Sequence, residues 1–270
     1  MPTTAVRTGV TLHYETHGEG EPLLLVMGTS GSAGLWAEAT PRLAERFRVI
    51  AYDNRGLGGS ERGDGPITVA GLAEDASALL EALDVPSAHV LGWSLGSAVA
   101  QELALAHPEQ VRSAVMYATW GRCDGFQRSV FTALRHPYAT RDMEAALGAA
   151  GLAFSPQALD QPDFADSVVA MLPFFPQDDA QMQVTTEQWD ADLAHDTLDR
   201  LGGISAPTLV VVGEQDLLTP PWQSEAVARA VPGAEYELVT GPGSSHCLHL
   251  ERLDDLLAVV VPFLERHRAA

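Results

Sequence analysis

The sequence predicts an α/β protein built on a mostly parallel, doubly wound sheet with a helical insertion in its second half. Three observations predict it. Several strand-like runs are continuously apolar, as in Leu23-Leu24-Leu25-Val26, which marks strands buried on both faces. These runs alternate with helical patterns, the order expected when helices cross over between parallel strands. The alternation then stops between about Trp120 and Gly202, where no convincing strand is found.

In chain order, strand-like runs cover Thr11 to Glu15 and Leu23 to Met27, followed by a helical pattern near Gly34 to Arg46. Phe47 to Tyr52 is the next strand and Val69 to Leu83 the next helix. The apolar run Ala88-His89-Val90-Leu91 opens a strand to Trp93, and a helix runs from Leu95 to His107. Val111 to Ala118 is a further strand. The stretch after it is helical in pattern and broken by Pro137, Pro156, Pro162, Pro173 and Pro176, with many aromatic residues. Thr208 to Gly213 and Glu235 to Val239 return to strand, with helices near Gln223 to Ala230 and Leu253 to His267. The expected division is a core of residues 1–119 and 203–270, with residues 120–202 as a helical cap inserted in it.

Composition narrows the function. The 270 residues are 46% hydrophobic, enough for a sizeable core, and carry a net charge of −20. That charge argues against a nucleic-acid surface and against attraction to anionic lipid. All 16 basic residues are arginine, which excludes Schiff-base chemistry on lysine and a Walker-type lysine. High Arg, Ala and Gly content without Lys suggests a high-GC bacterial genome. Cys123 and Cys247 form neither a metal spacing nor a disulfide framework, and no metal site is expected. Met1 to Gly18 lacks a secretory pattern and no apolar stretch reaches membrane-spanning length, so a cytoplasmic location is expected. The expected partner is a small-molecule substrate; a homo-oligomer is left open.

The chemistry centres on Gly92-Trp93-Ser94-Leu95-Gly96, a G-x-S-x-G between strand and helix. A serine there stands on a sharp turn above a helix N-terminus, where backbone N–H groups favour developing negative charge. Serine is a weak nucleophile alone and needs a base, and the base needs an orienting carboxylate. Asp216 lies just past the strand Val210-Val211-Val212-Gly213, where open α/β sheets place their sites. His246 closes the turn-rich loop Gly241-Pro242-Gly243-Ser244-Ser245 after the next strand, and Ser–Asp–His is the order expected on this fold. For an oxyanion hole, one donor is the N–H of Leu95. The other candidate is the N–H of Thr29 in the loop Met27-Gly28-Thr29-Ser30-Gly31-Ser32, where Gly28 and Gly31 supply freedom. The Thr29 hydroxyl is a candidate third donor.

With these blocks the chain resembles the capped branch of the α/β-hydrolase superfamily, and is similar to bacterial esterases, lactonases, polyketide methyl esterases and cofactor-free haloperoxidases. The resemblance rests on Leu23 to Gly28, Asp53-Asn54-Arg55-Gly56-Leu57-Gly58-Gly59-Ser60, Gly92 to Gly96, Ala206 to Val210, Gly213 to Asp216, and His246 with Glu251 five residues on. It implies an eight-stranded sheet and a serine esterase or lactonase without cofactor. One departure is Met27-Gly28, where the family usually has His-Gly. The family pattern favours His246 over His249 as base. Asp124, just past a strand, is the alternative acid. Cys247 is expected to be packing, and the Asp53 to Ser60 block a structural turn. Arg122, Arg128, Arg135 and Arg141 either meet a substrate carboxylate or form a solvated face, the second being favoured. Trp93 is expected on the pocket floor, and Trp120, Phe154, Phe174, Phe175 and Trp189 on its walls. The implied reaction is hydrolysis of a carboxylic ester or lactone. The rivals are C–C bond hydrolysis, perhydrolysis, and a non-hydrolytic binding protein or receptor.

Overall fold

Eight strands form: β1 (Thr3–Ala5), β2 (Thr11–His17), β3 (Pro22–Val26), β4 (Arg48–Tyr52), β5 (Ala88–Trp93), β6 (Val111–Tyr117), β7 (Thr208–Gly213) and β8 (Glu235–Val239). In the computed structural model, which describes residues 2–269, they make one sheet in the order β1-β2-β4-β3-β5-β6-β7-β8. The β1·β2 and β2·β4 pairs are antiparallel and the other five are parallel. β1 is the strand that no apolar run announced. It is three residues long, on the edge, and reads only through its pairing with Thr11 to His13.

The sheet is buried on both faces. Leu24, Val26, Ile50, Val90 and Val210 face one core, while Leu23, Leu25, Val49, Leu91 and Val211 face the other. Alternate residues of one apolar run thus serve two cores, as a period of two requires. Helices α1 (Ala39–Ala44), α2 (Val69–Ala82) and α3 (Leu95–Ala106) precede the long connection. α2 and α3 cover the first face, and α1 covers the second. The single helix expected near Gly34 to Arg46 is instead a 3₁₀ turn, Ala33–Trp36, followed by α1. Pro41 has no N–H to give the Ala37 carbonyl, so a continuous helix lacks a rung there.

Between β6 and β7 the chain forms α4 (Gly125–Thr140), α5 (Met143–Ala150), α6 (Pro156–Leu159), α7 (Phe164–Met171) and α8 (Asp179–Ala194). α9 (Pro221–Ala230), α10 (Leu248–Glu251) and α11 (Leu253–Arg266) complete the chain. Phe131 and Leu134 of α4 and Met182 and Trp189 of α8 belong to the same buried cluster as α2 and α3. These two helices are therefore bound to the sheet side by continuous apolar packing. Among the described residues no helix is long and apolar enough to cross a membrane.

The Asp53 to Ser60 block is a clasped turn. Asp53 accepts from His13 Nδ1 at 2.7 Å, Ala33 N at 2.7 Å and Gly59 N at 2.8 Å. Arg55 is buried and donates through two nitrogens to Asp75, each at 2.5 Å. A buried pair broken on one side leaves an uncompensated charge. Arg55→Met is accordingly expected to destabilise the fold by roughly 3 kcal/mol, read as a lowered denaturant midpoint.

Candidate active site

The strand order reverses between β3 and β5, so the loops after these strands diverge and leave a crevice above the sheet. Ser94 sits in it, between the last residue of β5 and the first of α3, with φ 54° and ψ −121°. A side chain in that region is strained, and the surroundings must enforce it. They do so by close packing. A Cβ on Gly92 would lie 2.1 Å from the Gly96 carbonyl oxygen, and one on Gly96 would lie 2.1 Å from that of Val26. The turn is closed by Ser94 N donating to Tyr117 O at 3.0 Å and Ser97 Oγ to Ser94 O at 2.6 Å. Gly96→Ala is expected to lower stability by about 1–3 kcal/mol through overpacking against backbone, measured by thermal denaturation.

Asp216 and His246 meet after β7 and β8. His246 Nδ1 lies 2.9 Å from Asp216 Oδ2, and both residues are buried at 2% exposure. The carboxylate is held in place independently: Oδ1 accepts from Leu218 N and Thr219 N, and Oδ2 from Thr219 Oγ1, all at 2.9 Å. The His246 carbonyl accepts from Trp93 Nε1 at 2.9 Å and Tyr117 Oη at 2.6 Å, which fixes the loop over the end of the sheet. Glu251 accepts from Ser245 Oγ at 2.5 Å and Ser155 N at 3.0 Å, joining this loop to the segment before α6. Ser94 and His246 line one cavity, with Nδ1 committed to Asp216. Among the described residues no hydrogen bond joins Ser94 Oγ to the ring, and such contacts commonly tighten only with substrate.

The alternative residues lie elsewhere. His249 is buried between Trp93, at 4.3 Å between ring centres, and Trp36, at 5.0 Å; burial lowers its pKa to about 3. Asp124 caps α4 by accepting from Gln127 N at 2.8 Å, and takes Trp222 Nε1 at 2.9 Å. Cys247 lines the cavity but burial pushes its thiol well above the ordinary value, which disfavours a thiolate. None of the four arginines lines the cavity. Arg122 pairs with Asp196 and Asp199, Arg135 with Asp190, and Arg141 with the Tyr138 carbonyl and Gln183. Arg128 lies in a separate groove.

The loop after β3 passes directly over the serine: a Cβ on Gly28 would come within 3.2 Å of Ser94 Cβ. Neither Thr29 N nor Leu95 N is engaged by a hydrogen bond among the described residues. The left-handed residue of this loop is Ser30, at φ 67°, not the flanking glycines. Two α8 side chains hold it there. Gln188 Oε1 accepts from Ser30 N at 2.9 Å, and Asp192 Oδ2 lies 2.6 Å from Thr29 Oγ1. Burial pushes the Asp192 carboxyl up to about 8, against the opposing hydrogen bond from Thr29. Sequence reasoning missed both residues. The available signal was helical spacing, which puts Thr185, Gln188, Trp189 and Asp192 on one face, an odd place for an acid in an acidic chain.

The cavity holds about 70 Å³ and is lined mainly by apolar side chains, among them Leu35, Leu134, Ala146 and Leu218, with Thr29, Ser30, Ser94, Tyr138 and His246 as the polar exceptions. Trp93, Phe154, Phe175 and Trp189 line it as well. Trp120 and Phe174 do not. Trp120 is fully buried against Phe131, at 5.2 Å, and His195, at 5.6 Å, because the chain at that point is still packed into the sheet-side core. Phe174 lies over Gly34, where a Cβ would meet its ring at 2.2 Å, and its carbonyl accepts from Ser32 N at 2.9 Å. It braces the outside of the loop rather than facing the cavity.

Residues 21–253 match the family model described as alpha/beta hydrolase fold. The chain is 36% identical over 230 residues to a protein named carbamate hydrolase RutD from Azorhizobium caulinodans, covering 83% of this chain and 84% of that one. It is 30% identical over 272 residues to a protein named non-heme bromoperoxidase BpoC from Mycobacterium tuberculosis, covering 96% of this chain and all, 100%, of that one. Among solved structures, the enol-lactonase from Burkholderia xenovorans LB400 superposes with a TM-score of 0.87 at 28% identity, over 98% of this chain and 100% of that one.

Proposed function

Because the chain belongs to the alpha/beta hydrolase fold family, we propose that it is a serine hydrolase cleaving a carboxylic ester or lactone of a small, mostly apolar molecule. One observation carries this reading: Ser94 and an Asp216-bound His246 open into a single apolar cavity beside two unengaged backbone donors.

In the proposed cycle Ser94 Oγ attacks the substrate carbonyl carbon while His246 Nε2 takes the hydroxyl proton. The carbonyl oxygen becomes an oxyanion held by the N–H groups of Thr29 and Leu95. Asp216 keeps the imidazole in the tautomer with hydrogen on Nδ1 and stabilises it once charged. Collapse breaks the bond to the leaving alkoxide, which receives the proton from Nε2. Water then gives a proton to His246 as it adds to the acyl-enzyme, and collapse breaks the bond to Ser94 Oγ, which takes that proton back from Nε2 as the acid leaves.

The lining favours an ester oxygen over groups richer in donors. An amide or carbamate N–H placed against Leu35, Leu134 and Ala146 would lose water without an assured partner. Attack by Ser94 at a carbonyl carbon is compatible with the substrate classes that the relatives' names print, an enol-lactone and a carbamate. C–C bond hydrolysis and perhydrolysis remain variants on the same residues, differing in leaving group and in the final nucleophile.

The test is a ladder of p-nitrophenyl esters from acetate to octanoate, with a small fluorophosphonate as label for Ser94. Short acyl chains are expected to give the highest kcat/KM. Phe154 and Leu250 line both this cavity and an adjoining one of about 600 Å³. Phe154→Ala should therefore join the two spaces and move the optimum to longer chains, by about 10-fold or more in the octanoate-to-acetate ratio. A wild type that turns over no ester and takes no label would overturn the reading.

A further inference from the structure

The α8 face under the oxyanion loop has no counterpart in the triad chemistry. Asp192 is 1% exposed, sits behind Thr29 rather than in the cavity wall, and touches Thr29 Oγ1 through Oδ2 at 2.6 Å. Its Oδ1 has no hydrogen-bond partner among the described residues. A buried carboxylate with one oxygen unpaired and no cation beside it is costly, whereas a neutral carboxyl in the same place needs only one acceptor for its proton. Thr29 Oγ1, 2.6 Å from Oδ2, is placed to be that acceptor.

We propose that Asp192 is a positioning residue of the hydrolytic site: as a neutral acid it donates to Thr29 Oγ1, and the Thr29 hydroxyl proton, displaced from that direction, points into the cavity as a third donor to the oxyanion. The inference rests on the serine-hydrolase reading and extends it to a helix of the long connection. Thr29 is on the cavity wall together with Ser94 and His246, so the hydroxyl is on the correct side of the loop. Gln188, one turn earlier on α8, fixes the next residue through Ser30 N. The two side chains thus set both the backbone and the hydroxyl of the donor loop.

The groups around Asp192 leave it unpaired. From the segment before α4, Cys123 Sγ donates to the Asp192 carbonyl at 3.4 Å, and its thiol is pushed up to about 12. α4 contributes Tyr138, raised by burial. On α8, Asp190 is exposed and paired with Arg135. Past α8, His195 is lowered to about 4 by burial and held against Gln101. From the cavity side the titratable groups that share the lining with Thr29 are His246, Cys247 and Tyr138. Loss of the Asp192 proton reverses the bond: the carboxylate then accepts from Thr29, the hydroxyl turns away from the hole, and a negative charge stands behind a developing oxyanion. Burial favours the neutral form to about pH 8, so the reversal falls on the alkaline side.

The experiment measures kcat and KM for p-nitrophenyl acetate from pH 6.5 to 10, and melting temperature over pH 5 to 9, for wild type, Asp192→Asn, Asp192→Ala and Thr29→Val. Wild-type kcat should fall about 10-fold from pH 7 to 9.5, and Asp192→Asn, which has no proton to lose, should flatten that limb. Thr29→Val should lower kcat at pH 7 by about 10-fold or more with KM within about twofold. Asp192→Ala should show a similar loss, most of it restored by Asn. A carboxyl whose folded pKa exceeds its unfolded one stabilises most at low pH and loses that stabilisation as pH rises toward 8. The wild-type melting temperature should therefore decline over this range more steeply than that of Asp192→Asn. An alkaline limb that persists in Asp192→Asn, or Thr29→Val within twofold of wild type, overturns the proposal. So does a melting difference without a kinetic one. Should no ester be turned over, the rate of fluorophosphonate labelling gives the same comparison. Loss of labelling in the wild type would sink the serine-hydrolase reading and this role with it, while the melting curves still report the charge on Asp192.

Discussion

Ser94→Ala is expected to reduce kcat for a short p-nitrophenyl ester by about 10⁴- to 10⁶-fold, with KM little changed. Nothing nearby substitutes for the lost nucleophile. Cys247 adjoins the base, but burial holds its thiol protonated. Thr29 Oγ1 is tied to Asp192 rather than to His246. Residual catalysis would come from the Thr29 and Leu95 donors and from binding alone. The fold should survive, since alanine at φ 54° carries no more strain than serine there, and thermal denaturation should place the variant within a few degrees of wild type or above it. A loss of activity below about 100-fold would show that another group attacks the carbonyl.

Asp216→Asn is expected to lower kcat by about 10⁴-fold while leaving the loop in place. The direction of the effect follows from three hydrogen bonds. Leu218 N and Thr219 N both donate to Oδ1, so an asparagine would keep its carbonyl oxygen there. Its NH₂ group then replaces Oδ2 opposite His246 Nδ1. A donor in that position demands an unprotonated Nδ1, which puts the ring hydrogen on Nε2 and removes the lone pair that must take the serine proton. Asp216→Ala would leave the two backbone donors unsatisfied as well, and should also lower stability by about 1–3 kcal/mol. Comparing the two variants by turnover and by denaturant midpoint separates the tautomer effect from loop support. Near-wild-type turnover in Asp216→Asn would mean that His246 is oriented by Thr219 or by its backbone alone.

The sheet was legible because its strands repeat a simple rule. Leu23-Leu24-Leu25-Val26 and Val210-Val211-Val212 need burial on both faces, and only helices on both sides supply it. β1 escaped because three edge residues carry no such signal, and the helix near Gly34 broke because one proline outweighs an amphipathic pattern. Trp120 and Phe174 were misplaced for a related reason. Aromatic residues in a helical stretch announce burial without saying in which of two adjoining interiors they are buried.

By itself the sequence determined the class of sheet, the G-x-S-x-G turn at Ser94, and the order in which Ser94, Asp216 and His246 follow three different strands. These are properties of local pattern and chain order, which periodicity and glycine placement encode directly. Only the tertiary structure decided that Ser94 and His246 open into one cavity, which aromatics line it, and that Gln188 and Asp192 hold the loop after β3. The contact between Thr29 and Asp192 spans 163 residues of chain. Such a contact is fixed by packing α8 against the sheet-side core, and the free energy that fixes it is spread over many apolar neighbours rather than written at either residue.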